Sequence, residues 1–207
     1  MAFKKTIGTG ASEDRLENLI LERLSPGVDK EKIDQRIWDL FGEEWCVMFT
    51  DLSGFSRGVE KFGIIHFLQT IHESERVLVP IIESFDGILL KAEGDSLLVI
   101  FRNADKALDA AVKMQNELKI YNKDKIPEEQ ILLCVGLGYG KVLKIGDTDV
   151  FGSEVNTASK LGEDIAEIGE ILVTYNVFEK VKFDSYNFEE IPNPPAGTSN
   201  AYRFLYK

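Results

Sequence analysis

Between Trp45 and Leu143 the apolar segments follow an order that few folds accommodate. A short run, WCVMF, delivers Asp51 at its end. A long helical stretch follows over residues 58 to 83, with Phe62, Ile65, Leu68, Ile71, Leu78 and Ile82 at helical spacing and Pro80 predicting a break or bend. Asp86-Gly87 signals a turn into ILLKAEGDSLLVIF, where two apolar runs flank Glu93-Gly94-Asp95 and read as a hairpin. Asn103 is placed to cap a helix running to about Ile120, faced by Ala107, Ala110, Ala111, Met114 and Leu118. ILLCVGLGYGKVL then reads as a long strand. Two strand-helix-strand units with an antiparallel pair between them predict an α+β fold, a ferredoxin-like split βαβ sandwich with its helices on one face of the sheet. The other face is left to solvent, to further elements or to a partner.

The segments on either side are additions to that plan. Residues 1–44 form a short N-terminal helical extension: Leu16, Leu19, Ile20 and then Ile33, Ile37, Leu40 recur at helical spacing around Ser25-Pro26-Gly27, and Gly42 ends the second helix. Residues 45–207 form the main domain. After Asp149, GSEVNTASKLGEDI reads as helical from about Glu154, and ILVT, FEEI and YRFLY as short strands. Gly136, Gly138 and Gly140 leave one side of their strand bare, which suits close approach by a ligand, another subunit or packed structure.

Charge narrows the function. The 35 acidic against 24 basic residues give a formal charge of -11, a field that repels nucleic acid and anionic membrane. An anionic substrate needs local compensation from metal ions or well-placed lysines. Cys46 and Cys134 sit in apolar runs and read as small core residues. The start MAFKKTIGTG lacks the apolar core of a signal peptide, and no stretch approaches the ~20 apolar residues of a membrane span, so a cytoplasmic location is expected. His66 and His72 have no third ligand at zinc spacing, and Gly8-Thr9-Gly10 lacks the lysine of a phosphate loop.

Asp51 ends the first strand and Asp95 lies in the hairpin turn beside it, so the predicted fold brings both carboxylates to one edge of the sheet. Each alone could be a cap or turn residue; together they repel unless a cation sits between them, the usual construction of a magnesium or manganese site for a phosphate substrate. The small residues of Ser53-Gly54-Phe55 would let backbone N–H groups meet phosphate oxygens.

FTDLSGF, KAEGD and DVFGSEVNTASKL, in this order, resemble the class III adenylyl and guanylyl cyclase catalytic domain. The resemblance covers residues 45 to about 178 and implies a cyclase-type set of C-terminal additions. It also implies that Asp51, Asp95 and the carbonyl of Leu52 hold two Mg²⁺ or Mn²⁺ ions per active site. Lys91 and Asp149 match the pair that reads adenine, and Asn156 matches the residue that orients the ribose. The implied reaction is adenylyl cyclase chemistry, ATP to cyclic AMP and pyrophosphate, in a head-to-tail homodimer whose sites are shared between chains and answer to a signalling input or regulatory protein. Lys160 stands where the family usually has arginine; it keeps the charge and loses the planar fork, which predicts a slow enzyme. The alternative is a catalytically silent cyclase-like domain that dimerises and binds nucleotide.

Overall fold

The computed structural model describes residues 10–53, 62–182 and 186–206. Helices α1 (Ala11–Leu24) and α2 (Lys30–Phe41) lead into strand β1 (Gly42–Leu52). Then come α3 (Ile64–Ser84), the hairpin β2 (Ile88–Glu93) and β3 (Ser96–Phe101), α4 (Ala104–Tyr121) and β4 (Leu133–Ile145). The chain continues through β5 (Asp149–Phe151), α5 (Ser153–Ser159), β6 (Ile171–Thr174), α6 (Tyr175–Lys180), β7 (Asn187–Glu190) and β8 (Ala201–Leu205). The sheet order is β2-β3-β1-β4-β6-β8-β7, with β5 paired to β4. The segment β2-β3-β1-β4 is antiparallel throughout, which is the split βαβ arrangement expected from the order of apolar segments.

Alternation along the strands sorts the two faces. Cys46, Met48 and Leu52 of β1, Leu97, Val99 and Phe101 of β3, and Leu133, Val135 and Leu137 of β4 pack with Leu78, Ile82, Leu108 and Met114 of the two long helices into the main core. Both cysteines are buried and free. Asn103 caps α4 as expected, its Oδ1 accepting from the N–H groups of Asp105 and Lys106 at 2.8 and 3.2 Å. Pro80 lies inside α3, which continues through it to Ser84. Among the described residues no helix is long and apolar enough to cross a membrane.

The opposite face carries Trp45, Val47, Leu98, Ile100, Val142, Val150 and Val155. β5 folds back onto this face, and α5 crosses β4 where β4 carries its glycines. A Cβ at Gly138 would stand 2.5 Å from the carbonyl oxygen of Glu154, and one at Gly140 3.0 Å from the Glu154 side chain. A Cβ at Gly136 would overlap the Ala158 carbonyl oxygen and the Gly162 nitrogen. Of the readings open for these glycines, close packing by α5 accounts for all of them. Glu154 fastens the contact: its buried carboxylate accepts from Tyr139 N–H (3.0 Å), Thr174 Oγ1 (2.8 Å) and Asn176 Nδ2 (2.7 Å).

The N-terminal helices pack through Leu19, Ile33, Ile37 and Phe41 on Ile145 of β4. Arg23 of α1 pairs with Asp34 of α2 at 2.5 Å. Gly136→Ala forces backbone apart where neither side has a flexible end to give, and is expected to cost about 1–3 kcal/mol. Urea unfolding should show a lower midpoint with an unchanged slope; an unchanged midpoint would mean that α5 moves off β4 without loss.

Candidate functional site

Asp51 is the penultimate residue of β1, on the face shared with Trp45 and Val47, and Asp95 sits in the β2–β3 turn one residue before β3 begins. The β1–β3 register pairs Thr50 with Leu97, so both aspartates reach the same end of the sheet. The register is pinned internally by Thr50, fully buried, whose Oγ1 accepts from Leu97 N–H at 3.3 Å. Burial pushes the Asp51 carboxyl up to about 6, with the charges of Asp95 and Glu163 adding to it and contacts with Leu52 N–H and Ser96 opposing. Asp95 is raised as well, by burial and by Glu163.

Glu163 carried no signal in the sequence, where it reads as one more surface acid in a helix. It lies on the π-helical turn Lys160–Ile165 that continues α5, and its carboxylate accepts from Ser96 Oγ at 3.0 Å and from Ser159 Oγ. Gly162 brings this turn down on β1: a Cβ there would be 2.8 Å from the Phe49 carbonyl oxygen. Among the described residues no group of three or more His, Cys, Asp or Glu side chains is arranged to hold a metal. This end of the sheet offers the carboxylates of Asp51 and Asp95 and nearby backbone carbonyls, with the Glu163 carboxylate beside them.

The segment after Asp51 is described only as far as Ser53. Its N–H donates to the Leu132 carbonyl at 2.8 Å, so that donor is already engaged and does not serve a phosphate. Gly54 and Phe55 lie outside the described residues.

Lys91 and Asp149 meet within one chain, Nζ to Oδ2 at 2.6 Å. Nothing in their sequence spacing shows this. A bulge between Leu89 and Lys91 puts Lys91 opposite Leu98, a residue of the second face, and the fold-back of β5 carries Asp149 across that face to it. Asp149 Oδ1 also accepts from Val150 N–H at 2.9 Å, which fixes the carboxylate plane. The hydrogen bond that Lys91 donates to Asp149 holds the pKa of its ammonium above the ordinary range. Asp51 and Asp95 stand at the end of β1 and in the adjoining hairpin turn, whereas Lys91 pairs with Asp149 at the fold-back of β5, so the chain carries two polar clusters.

Asn156 on α5 and Lys160 at the start of the π-helical turn are both exposed. The Lys160 N–H donates to the carbonyl oxygens of Asn156 and Thr157, so the two side chains stand one helical turn apart on one face. His66 Nε2 lies 2.9 Å from the Glu128 carbonyl oxygen.

The strained carboxylate makes stability pH-dependent. Folding raises the Asp51 pKa from 3.8 to about 6, so the folded chain holds this proton more tightly than the unfolded chain. Its contribution is complete below about 3.8 and is lost as pH rises through about 6. In chelator-treated protein the melting temperature should decline across that window, and Asp51→Asn should flatten the decline and melt higher than the parent at pH 8. Parallel pH profiles for the two proteins would contradict this reading.

The profile of the adenylate and guanylate cyclase catalytic domain matches residues 42–194. "Putative adenylate cyclase 3" of Rhizobium meliloti is 28% identical over 136 residues, which is 66% of this chain and 23% of that protein. The chain thus spans about a quarter of the length of that curated relative. An adenylate/guanylate cyclase/hydrolase from Silicibacter pomeroyi superposes with a TM-score of 0.65 at 25% identity, covering 80% of this chain and 98% of that one. The guanylate cyclase domain of RhGC from Catenaria anguillulae, solved in complex with GTP, superposes with a TM-score of 0.66 at 19% identity over 79% of this chain and 96% of that one. A profile match over most of the chain, on a sheet of the same architecture, establishes that the protein belongs to the class III adenylyl and guanylyl cyclase catalytic domain family.

Proposed function

We propose that this chain is an adenylyl cyclase, converting ATP to 3′,5′-cyclic AMP and pyrophosphate at sites shared across a head-to-tail homodimer. The observation that carries the reading is the presence of two separate clusters in one chain: a carboxylate pair at one sheet end, and a lysine–aspartate pair on the second face. Neither is a complete site. A second chain turned head to tail would set the aspartates of one protomer against the Lys91, Asp149 and Asn156 of its partner.

Hard oxygen donors, Asp51, Asp95 and the Leu52 carbonyl, suit Mg²⁺ or Mn²⁺, and both aspartates are raised by burial, with the charge of Glu163 adding to it, a load that a bound cation would relieve. Two such ions would lower the pKa of the ribose 3′-hydroxyl and neutralise the triphosphate. The chain's own residues do the rest. Lys91 donates to a ring nitrogen of adenine and Asp149 accepts from its amino group, a donor–acceptor order that guanine reverses. Asn156 orients the ribose so that the 3′-oxygen lies in line with the α-phosphorus. As the new O–P bond forms, the bond to the bridging oxygen breaks, pyrophosphate leaves, and the hydroxyl proton passes to solvent. Lys160 lends positive charge to the phosphoryl oxygens without the two-point grip of arginine. Ser53, Gly54 and Phe55 follow Asp51 in the sequence and make up the proposed phosphate-binding segment, with Ser53 contributing its side chain rather than its N–H.

The Lys160 substitution also favours the second reading, a silent nucleotide-binding dimer on a cyclase fold. Cyclic nucleotide production with ATP and GTP, in Mn²⁺ and then Mg²⁺, separates the two. Cyclic AMP should form from ATP in preference to cyclic GMP from GTP, and Lys160→Arg should raise the rate, by up to about 10²-fold if a full transition-state contact is regained. No product from either nucleotide, in parent or variant at concentrations where the protein is dimeric, would leave the silent reading.

Shared sites make a further prediction. Asp51→Asn and Asn156→Ala should each be inactive alone, yet mixing them should restore about a quarter of parental activity, because half of the dimers then hold one intact site of two. Mixtures as inactive as their components would place each site within a single chain.

A further inference from the structure

Residues 10–41 precede the stretch matched by the family profile, and the proposed reaction gives them no task. Their position does. Helix α1 lies alongside the Lys91–Asp149 pair, leaving between them a cleft of 580 Å³. Leu16, Ile20 and Leu21 of α1 form one wall, Phe151 stands on the other, and Lys91 and Asp149 lie within it. Small-molecule sites are typically of about 300–1,000 Å³, mostly apolar, with a few convergent polar groups. This cleft meets each condition with α1 already docked, so the helix bounds the space rather than filling it.

The helix is also held there. Leu19 is buried against Ile33, Ile37 and Ile145, and Thr148 Oγ1 donates to Glu13 Oε1 at 2.9 Å, tying the first turn of α1 to the loop that presents Asp149. Ile20 and Phe151 remain 42% and 50% exposed, large apolar side chains facing open space beside a polar pair. A flat aromatic base with a polar edge suits such a slot: its faces contact apolar side chains while its edge meets the lysine and the carboxylate.

We propose that α1 forms a wall of the purine subsite, with the base lying between Ile20 and Phe151 and its polar edge on Lys91 and Asp149. This rests on the assignment of Lys91 and Asp149 to the base, and it gives the N-terminal helices a direct part in substrate affinity. Ile20 becomes a residue that touches substrate, and the Glu13–Thr148 bond a positioning contact that acts through α1.

The test is equilibrium binding of a non-hydrolysable ATP analogue with Mn²⁺, together with KM and kcat for ATP, on the full chain. Ile20→Trp adds bulk inside the cleft from an exposed position and should weaken binding and raise KM by about tenfold or more, the penalty of overfilling a formed site, with kcat within about threefold of the parent. Thr148→Val should weaken binding to a lesser extent. Ile20→Ala, which removes wall area without bulk, covers the case in which the tryptophan variant fails to fold, and should also raise KM. Lys91→Met is measured in parallel. Parental binding by both Ile20 variants, with Lys91→Met impaired, would overturn the wall and leave the assignment of the base standing. Tighter binding by Thr148→Val would overturn it too, showing α1 to be an obstruction. Parental binding by Lys91→Met would overturn the base assignment itself, and the wall with it.

Discussion

The close approach of α5 to β4 is the contact on which both the sheet and the proposed site depend. Glycine at 136, 138 and 140 removes the side chains that would hold the helix off, and the buried carboxylate of Glu154 hydrogen-bonds three separate elements at the crossing. Burying a carboxylate is costly unless its oxygens are satisfied, and here each accepts at least one bond. With its inner face committed in this way, the helix has only its outer face to offer, and that face carries Asn156, with Lys160 one turn further on at the start of the π-helical turn. The same descent brings the π-helical turn onto the end of β1, which is how Glu163 comes to act on Asp51 and Asp95.

The strand order and the two principal helices were legible because their patterns are long. WCVMF, SLLVIF and the alanine-rich face of α4 each bury a continuous stripe, and periodicity reports stripes. β5 and α6 were not legible, being three and six residues long, too short for any period to show. The site divides in the same way. Asp51 and Asp95 could be placed together from topology alone, since a strand end and the neighbouring hairpin turn must adjoin. The Lys91–Asp149 contact depends on a bulge in β2 and on the fold-back of β5, neither of which leaves a mark in composition. Glu154 and Glu163 are chemically identical in the sequence and opposite in circumstance, one buried at a helix crossing and one exposed beside other acids. Only the packing separates them.

Stability and chemistry pull in different directions at the end of β1. Asp51 and Asp95 both feel the charge of Glu163, in a chain whose net charge is already -11. Such an arrangement persists because the strands that present it are secured elsewhere, by Thr50 beneath it and by the main core across the sheet. The burden is local and the support is global.

The ion pair of Lys91 and Asp149 has a further consequence on the proposed reading. The two side chains, 34% and 26% exposed, already satisfy each other, so an arriving base competes with an internal ligand. A base that offers an acceptor to the lysine and a donor to the aspartate exchanges one good pairing for two. A base that offers only one of these leaves the other partner stranded, a loss that its single contact does not offset. Discrimination then comes less from how well the right base fits than from what the wrong one breaks, and the resident pair acts as a toll that each candidate meets before it binds.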